Sequence, residues 1–136
     1  MKVYKLFVLA LAAPLMAFAQ AYPSKPVKIV VTFPPGSTPD IVGRALAGRL
    51  EASLGQPFVV ENRAGAGGNI GAAVVAKAPP DGYTLLVSTN GVFANNKSLY
   101  KHMPFDPDRD LEPVSLLASA PQMLVVSPSL GIKDFK

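Results

Sequence analysis

Val27-Lys28-Ile29-Val30-Val31-Thr32-Phe33 is an apolar run rich in β-branched residues, and Pro34-Pro35-Gly36 ends it abruptly. A run that is apolar at successive rather than alternate positions suits a strand buried on both faces. Past the break, Ser37 and Thr38 offer a hydroxyl cap, Pro39 stands at the first helical position, and Asp40 puts an acid in the first turn. The helix predicted from there runs from about Pro39 to Leu54. Val42, Leu46, Leu50 and Leu54 recur every four residues with Ile41 and Ala45 beside them, while Arg44, Arg49 and Glu51 point elsewhere and Gly55 is the stop. One face of the helix is therefore expected to pack on a sheet.

Working outward, the unit repeats. Pro57-Phe58-Val59-Val60-Glu61 reads as a second strand, Asn62 to Gly68 as a glycine-rich loop, and Asn69 as the cap of a short alanine-rich helix reaching about Ala78. Pro79-Pro80-Asp81-Gly82 is a turn, and Tyr83 to Ser88 is a third strand. Strand, helix, strand, helix, strand predicts an α/β fold on a parallel sheet with right-handed crossovers. Thr89 to Pro113, broken by Pro104, Pro107 and Pro113, is expected to be irregular. Val114 to Ala118 and Met123 to Ser127 are further apolar segments, and Ser127 to Lys136 reads as a loop leading into a helix that never arrives, as if the chain were cut.

At the other end, Lys2 and Lys5 precede an unbroken apolar run from Leu6 to Phe18. Thirteen residues fall short of the ~20 needed to span a bilayer as a helix, but they suit the apolar core of a secretory signal peptide. Pro14 inside the run argues against a buried helix. Small residues at cleavage spacing are Ala17-Phe18-Ala19 or Ala19-Gln20-Ala21, and the second is favoured because a polar, proline-rich entry begins at Tyr22. Residues 1–21 are thus expected to be a signal peptide and residues 22–136 the exported part, in the periplasm and without membrane insertion. Of 136 residues, 115 then remain, enough for one small domain.

Composition excludes several classes. Without cysteine there is no disulfide, thiol nucleophile, thiolate metal site or cysteine-borne lipid. Removing Lys2 and Lys5 lowers the formal charge from +4 to +2, and the remaining basic residues form no stripe, so nucleic acid is not expected as a partner. No Gly-Lys-Ser/Thr occurs, and a dinucleotide fingerprint starting at Gly65 would need glycine where Ile70 stands. His102 is the one histidine and reads as a surface residue beside Pro104; no Gly-x-Ser-x-Gly elbow or metal-ligand spacing occurs. No catalytic residue, cofactor or metal is expected. Asn96-Lys97-Ser98 fits the glycosylation pattern, which a motif this short meets by chance.

In a parallel sheet, ligands bind beyond the carboxyl ends of the strands, where loops feed helix N-termini that attract anions. Three unusual loops fall there: Pro34 to Asp40, Gly65 to Asn69, and Ser88 to Gly91. Glycines let the backbone approach an oxyanion, and Ser, Thr and Asn add neutral donors, so a carboxylate can be held without a buried lysine. Glycines also simply turn a chain, but three such loops at one edge favour a site. Asp40 is equally a first-turn helix acid, and Glu61 an ordinary strand-end charge.

These loops carry a resemblance. Tyr22-Pro23-Ser24-Lys25-Pro26-Val27-Lys28-Ile29-Val30-Val31, Leu54 to Pro57 with Val60 to Gly71, Ala78 to Leu86, and Pro104 to Leu111 together resemble the substrate-binding proteins of tripartite tricarboxylate transporters, the Bug or TctC-type receptors of bacteria. The resemblance implies a periplasmic-binding-protein-like (type II) α/β fold that closes on a small organic carboxylate and catalyses nothing. Here it implies the first lobe, a mainly parallel sheet flanked by helices, with the second lobe missing, since members of that family are more than twice this length. It places ligand contacts at Phe33, Gly36, Ser37, Thr38 and Asp40, at Ala66, Gly67, Gly68 and Asn69, and at Thr89 and Asn90. Ser37 stands where the family commonly has glycine, and Pro39 removes one amide donor. The implied role is delivery of the carboxylate to membrane subunits of the transporter. The rival readings are a secreted α/β hydrolase-like enzyme, for which no nucleophile and base pair offers itself, and a sensor-type binding module without transport.

Overall fold

A computed structural model describes residues 21–121, 123–132 and 134. The signal-peptide run therefore lies outside the described residues, apart from Ala21. Strand β1 (Val27–Val31) is the centre of a three-stranded sheet of order β2-β1-β3, with β2 at Phe58–Asn62 and β3 at Thr84–Val87. Both pairings are parallel, Val27 facing Phe58 on one side and Lys28 facing Thr84 on the other. The β-branched run gives this strand its central place: Val27, Ile29, Val30 and Val31 are all fully buried. The strand is shorter than its apolar run. Thr32 still donates its N–H to the Val87 carbonyl, and then the chain leaves toward Pro34, which has no N–H to continue a ladder.

Helix α1 (Thr38–Leu54) covers one face and helix α2 (Asn69–Ala76) the other. The face of α1 differs from the four-residue leucine row. Gly43 and Ala47 meet the sheet, with Leu46 and Leu50 at their flanks, while Ile41 and Leu54 are exposed. The cause is close approach: a Cβ on Gly43 would stand 3.0 Å from Val31 Cγ2, so small residues must occupy the contact and the large ones flank it. The larger core joins Val27, Ile29, Val31, Ala47, Phe58 and Val87; the second joins Ala72, Val92 and Phe105.

Both predicted caps take a different form. Ser37 is the residue before α1, but its hydroxyl donates to the Pro34 carbonyl at 2.6 Å and caps nothing. Asn69 is the first residue of α2 rather than its cap; Gly68 precedes it, and the helix ends at Ala76. The region expected to be irregular after Thr89 contains a further helix, a wide π turn (Gly91–Asn95) running into α3 (Asn96–Leu99). Gly91, Val92, Asn95 and Asn96 are poor helix formers, so the sequence gives little sign of it; burial of Val92 against Ala72 and Phe105 holds it in place. The strand-loop-helix unit therefore occurs three times. Residues 112–121 and 123–127 carry no regular structure, and beyond them Pro128–Leu130 forms a single 3₁₀ turn.

At the amino end of the sheet, the entering chain is pinned to the turn before β3. The Tyr22 hydroxyl donates to the Gly82 carbonyl at 2.7 Å, and the Ser24 N–H donates to the Tyr83 hydroxyl at 2.9 Å. This leaves the opposite, carboxyl edge for the three connecting loops.

Candidate functional site

All three strands run the same way, so the loops after β1, β2 and β3 emerge at one edge, and side chains join them there. The hydroxyls of Thr32 and Ser88 are 2.7 Å apart, linking the first loop to the third. Gly68 packs on both: a Cβ there would stand 2.6 Å from Val92 Cγ2 and 3.1 Å from Thr32 Oγ1. Asn96, buried in α3, donates from Nδ2 to the Gly67 carbonyl at 3.1 Å and to Asn69 Oδ1 at 2.7 Å. The second loop is therefore held against the first and third.

The backbone of that second loop is unusual. Gly65, Ala66, Gly67 and Gly68 have φ of 128°, 49°, 62° and 96°, four successive residues in the region that L side chains rarely adopt. Glycine makes this accessible at three positions, but Ala66 carries strain, which persists only where the surroundings impose it. The segment closes a 3₁₀ turn over Ala66–Gly68, in which the Gly68 N–H donates to the Gly65 carbonyl and the Asn69 N–H to the Ala66 carbonyl. Among the described residues, no backbone carbonyl accepts from the N–H of Ala66 or Gly67. Amides of this kind, beside the N-terminus of α2, favour an anion.

The first loop is shaped from behind by Asp40. Its carboxylate accepts the Gly36 N–H at 2.9 Å, the Arg44 Nε–H at 3.0 Å and the Asn62 Nδ2–H at 2.9 Å. Hydrogen bonds from Arg44, Gly36 and Asn62 hold its carboxyl down at about 2, against an ordinary 3.8. Asp40 is buried and its charge is matched by Arg44, so it folds the loop whose outer residues, Gly36 and Thr38, are exposed. Phe33 contributes its carbonyl to the same Asn62 amide at 2.9 Å. Ser37 is half-buried and engaged with Pro34, Thr89 is half-buried, and Asn90 is exposed at the end of β3.

The structure thus gathers Ala66, Gly67, Gly68 and Asn69 with Thr32 and Ser88 and places Gly36, Thr38, Thr89 and Asn90 on neighbouring loops of the same edge. Sequence reasoning missed Thr32, Asn62 and Asn96, and had Ser88 only as the first residue of the third loop. Thr32 and Ser88 directly follow their strands, a position that could have marked Thr32; nothing local marks Asn96. Cations stand aside: Arg63 pairs with Glu61, Lys28 also reaches Glu61 at 3.1 Å, and Lys97 pairs with Asp108. The edge is an open surface. Two depressions, of about 330 Å³ by Tyr100 and Phe105 and about 310 Å³ by Leu46 and Leu117, include none of the strand-end loop residues. Among the described residues no group of acids and histidine could hold a metal ion, and no helix is long and apolar enough to cross a membrane.

The parallel α/β sheet thus gathers three connecting loops, rich in neutral hydrogen-bond donors, at its one carboxyl edge. Residues 42–136 match the model of the TctC family, the tripartite tricarboxylate transporter family receptor, and the chain belongs to that family. The BugT protein of Bordetella pertussis is 46% identical over 123 residues, which cover 90% of this chain and 37% of that protein. MatC of Rhodopseudomonas palustris, solved with bound malate, is 40% identical with a TM-score of 0.67, covering 71% of this chain and 33% of MatC. An R. palustris protein solved with adipate is 45% identical with a TM-score of 0.63, covering 64% of this chain and 29% of that one. The chain spans little more than a third of the length of the curated relatives it matches. The family is one of periplasmic solute-binding receptors, and the structure has its α/β, periplasmic-binding-protein-like fold over the part present.

Proposed function

We propose that this chain supplies one wall of a cleft that captures a small organic carboxylate in the periplasm for a tripartite tricarboxylate transporter, binding it without turnover. The observation that carries the reading is the second loop: four successive positive-φ residues, Gly65 to Gly68, and the Ala66 and Gly67 amides, which pair with no carbonyl among the described residues. A carboxylate oxygen accepts such N–H groups in pairs, and the neutral donors of Thr38, Asn69 and Asn90 flank it. Relatives bound to malate and adipate support a dicarboxylate. Export by cleavage after Ala21 and handover to membrane subunits complete the role. For residues 22–136 on their own, which present one wall of the cleft to water, binding is expected near the millimolar range, about −4 kcal/mol.

The test is a titration of residues 22–136 with malate and adipate followed by amide NMR, which detects weak binding. Saturable shifts concentrated at Ala66 to Asn69, Thr38 and Asn90 are expected. Shifts absent at tens of millimolar acid, or gathered elsewhere on the surface, would overturn the proposal.

A further inference from the structure

Asn96 has no place in the ligand contacts expected from the sequence, yet it is 4% exposed and both N–H bonds of its side chain are used within the site. One faces the Gly67 carbonyl. A carbonyl only accepts, so the Asn96 atom turned toward it is the nitrogen, and the same NH₂ group then faces the Asn69 side chain at 2.7 Å. Two NH₂ groups cannot face one another productively. Asn69 must therefore present Oδ1 to Asn96, and its own NH₂, on the same carbon, points the other way. That NH₂ donates to none of the described residues, although Asn69 is 3% exposed. A side chain locked as a donor, in the same loop as the Ala66 and Gly67 amides, suits an acceptor-only ligand group such as a carboxylate.

From this geometry we infer that Asn96 is a positioning residue for charge selectivity: by fixing Gly67 and the amide orientation of Asn69, it makes the second loop all-donor. The inference rests on the proposed carboxylate site and deepens it. An asparagine free to rotate can also turn its oxygen to the NH₂ of an amide ligand. Asn69 in this setting offers only a donor, which, with the loop amides, both oxygens of a carboxylate can accept but only the carbonyl oxygen of an amide can. Replacing Asn96 by aspartate removes the donor and supplies an acceptor, so the Asn69 NH₂ turns inward and its oxygen turns toward the ligand.

The test compares malate with its neutral diamide on the exported chain, by NMR titration of wild type, N96D and N96A, reading the Asn69 side-chain NH₂ signals as well as the loop amides. In wild type, malate should shift the Asn69 NH₂ signals and bind at least about tenfold more tightly than the diamide, a difference of about 1.4 kcal/mol. In N96D the preference should fall below about twofold or reverse, with N96A between them. A structural defect would weaken both ligands alike and leave the ratio in place; because the new carboxylate of N96D also repels an anion, the uncharged N96A and the Asn69 NH₂ signals are the deciding measurements. If the loop amides of wild type do not respond to malate, the parent reading fails. If they respond but the Asn69 NH₂ does not, or the ratio persists in N96A, this inference alone fails, and those two measurements decide it even where N96D does not fold.

Discussion

Asn62 Nδ2 stands 2.9 Å from Asp40 Oδ1 and 2.9 Å from the Phe33 carbonyl, so one amide at the end of β2 ties down both the loop after β1 and the first turn of α1. Arg44 closes the arrangement by reaching Asn62 Oδ1 at 3.0 Å while pairing with Asp40. This partly buried network presents the outer residues of the first loop, holding Gly36 through its N–H and leaving Thr38 outside it.

The network makes stability depend on acid. Asp40 is held at about 2 in the folded chain against an ordinary 3.8, chiefly by the Arg44 hydrogen bond. A depressed carboxyl contributes stability that is fully present above its unfolded value, and this is lost as pH falls through the window from about 4 to 2. Glu61, held low by Lys28 and Arg63, loses stability in the same direction. Asp40→Asn should be less stable than wild type at pH 7 and flatter below pH 4, with the two curves converging toward pH 2. Urea midpoints measured at intervals of pH check this, and parallel curves would show that Asp40 is not the titrating group.

Much of this was legible beforehand because the signals are local. The Val27 to Phe33 run, its proline stop, and the glycine after Leu54 each state their structure over a few residues, and the parallel order follows from their alternation. What could not be read depends on contacts between distant residues. The Gly43 and Ala47 face of α1 is chosen by its fit to Val31, the third helix by burial of Val92, and the Asn96 bridge by a partner 27 residues away. Asp40 shows the middle case: sequence alone reads it as a ligand residue or a first-turn acid, and its three hydrogen bonds give it the work of shaping the loop.

Two alanine substitutions separate backbone strain from helix propensity. Gly68→Ala combines a φ of 96° with a Cβ only 2.6 Å from Val92 Cγ2, and should cost roughly 2–4 kcal/mol. Gly48→Ala lies inside α1 with nothing within 4 Å of the new Cβ, and should stabilise by about 0.5–1 kcal/mol. Chemical denaturation of both reads the difference. Equal and small effects would mean that the second loop relaxes freely, and the close packing of Gly68 on Thr32 and Val92 would not be a constraint.

The donors of the proposed site are neutral, so alanine at polar positions should matter and loss of nearby cations should not. Asn69→Ala should weaken carboxylate binding by roughly 1–3 kcal/mol, and Thr38→Ala and Asn90→Ala should weaken it less. Arg63 and Lys97, already paired with Glu61 and Asp108, should tolerate glutamine with affinity unchanged. NMR titration of the five variants distinguishes this from an electrostatic site. Strong loss in Arg63→Gln or Lys97→Gln, with the asparagine variants unaffected, would move the ligand to a cationic surface.

The apolar segments after Pro113 govern behaviour in solution. Val114, Leu116, Met123, Leu124 and Val125 are each more than three-quarters exposed, and among the described residues around them there is no strand or helix. Scattered apolar side chains on a surface are ordinary, but five this exposed within about a dozen residues of sequence offer apolar surface that a second copy can cover. Residues 22–136 should therefore show an average mass by light scattering that rises with concentration, and the double substitution Leu116→Lys with Val125→Lys should hold it at the monomer value by placing a charge in each segment. The carboxyl edge lies on the strand-end loops, so the same double variant should keep the wild-type malate shifts at Ala66 to Asn69. A wild-type chain that stays monomeric at every concentration, or a double variant that associates just as strongly, would show that these segments are not what drives association.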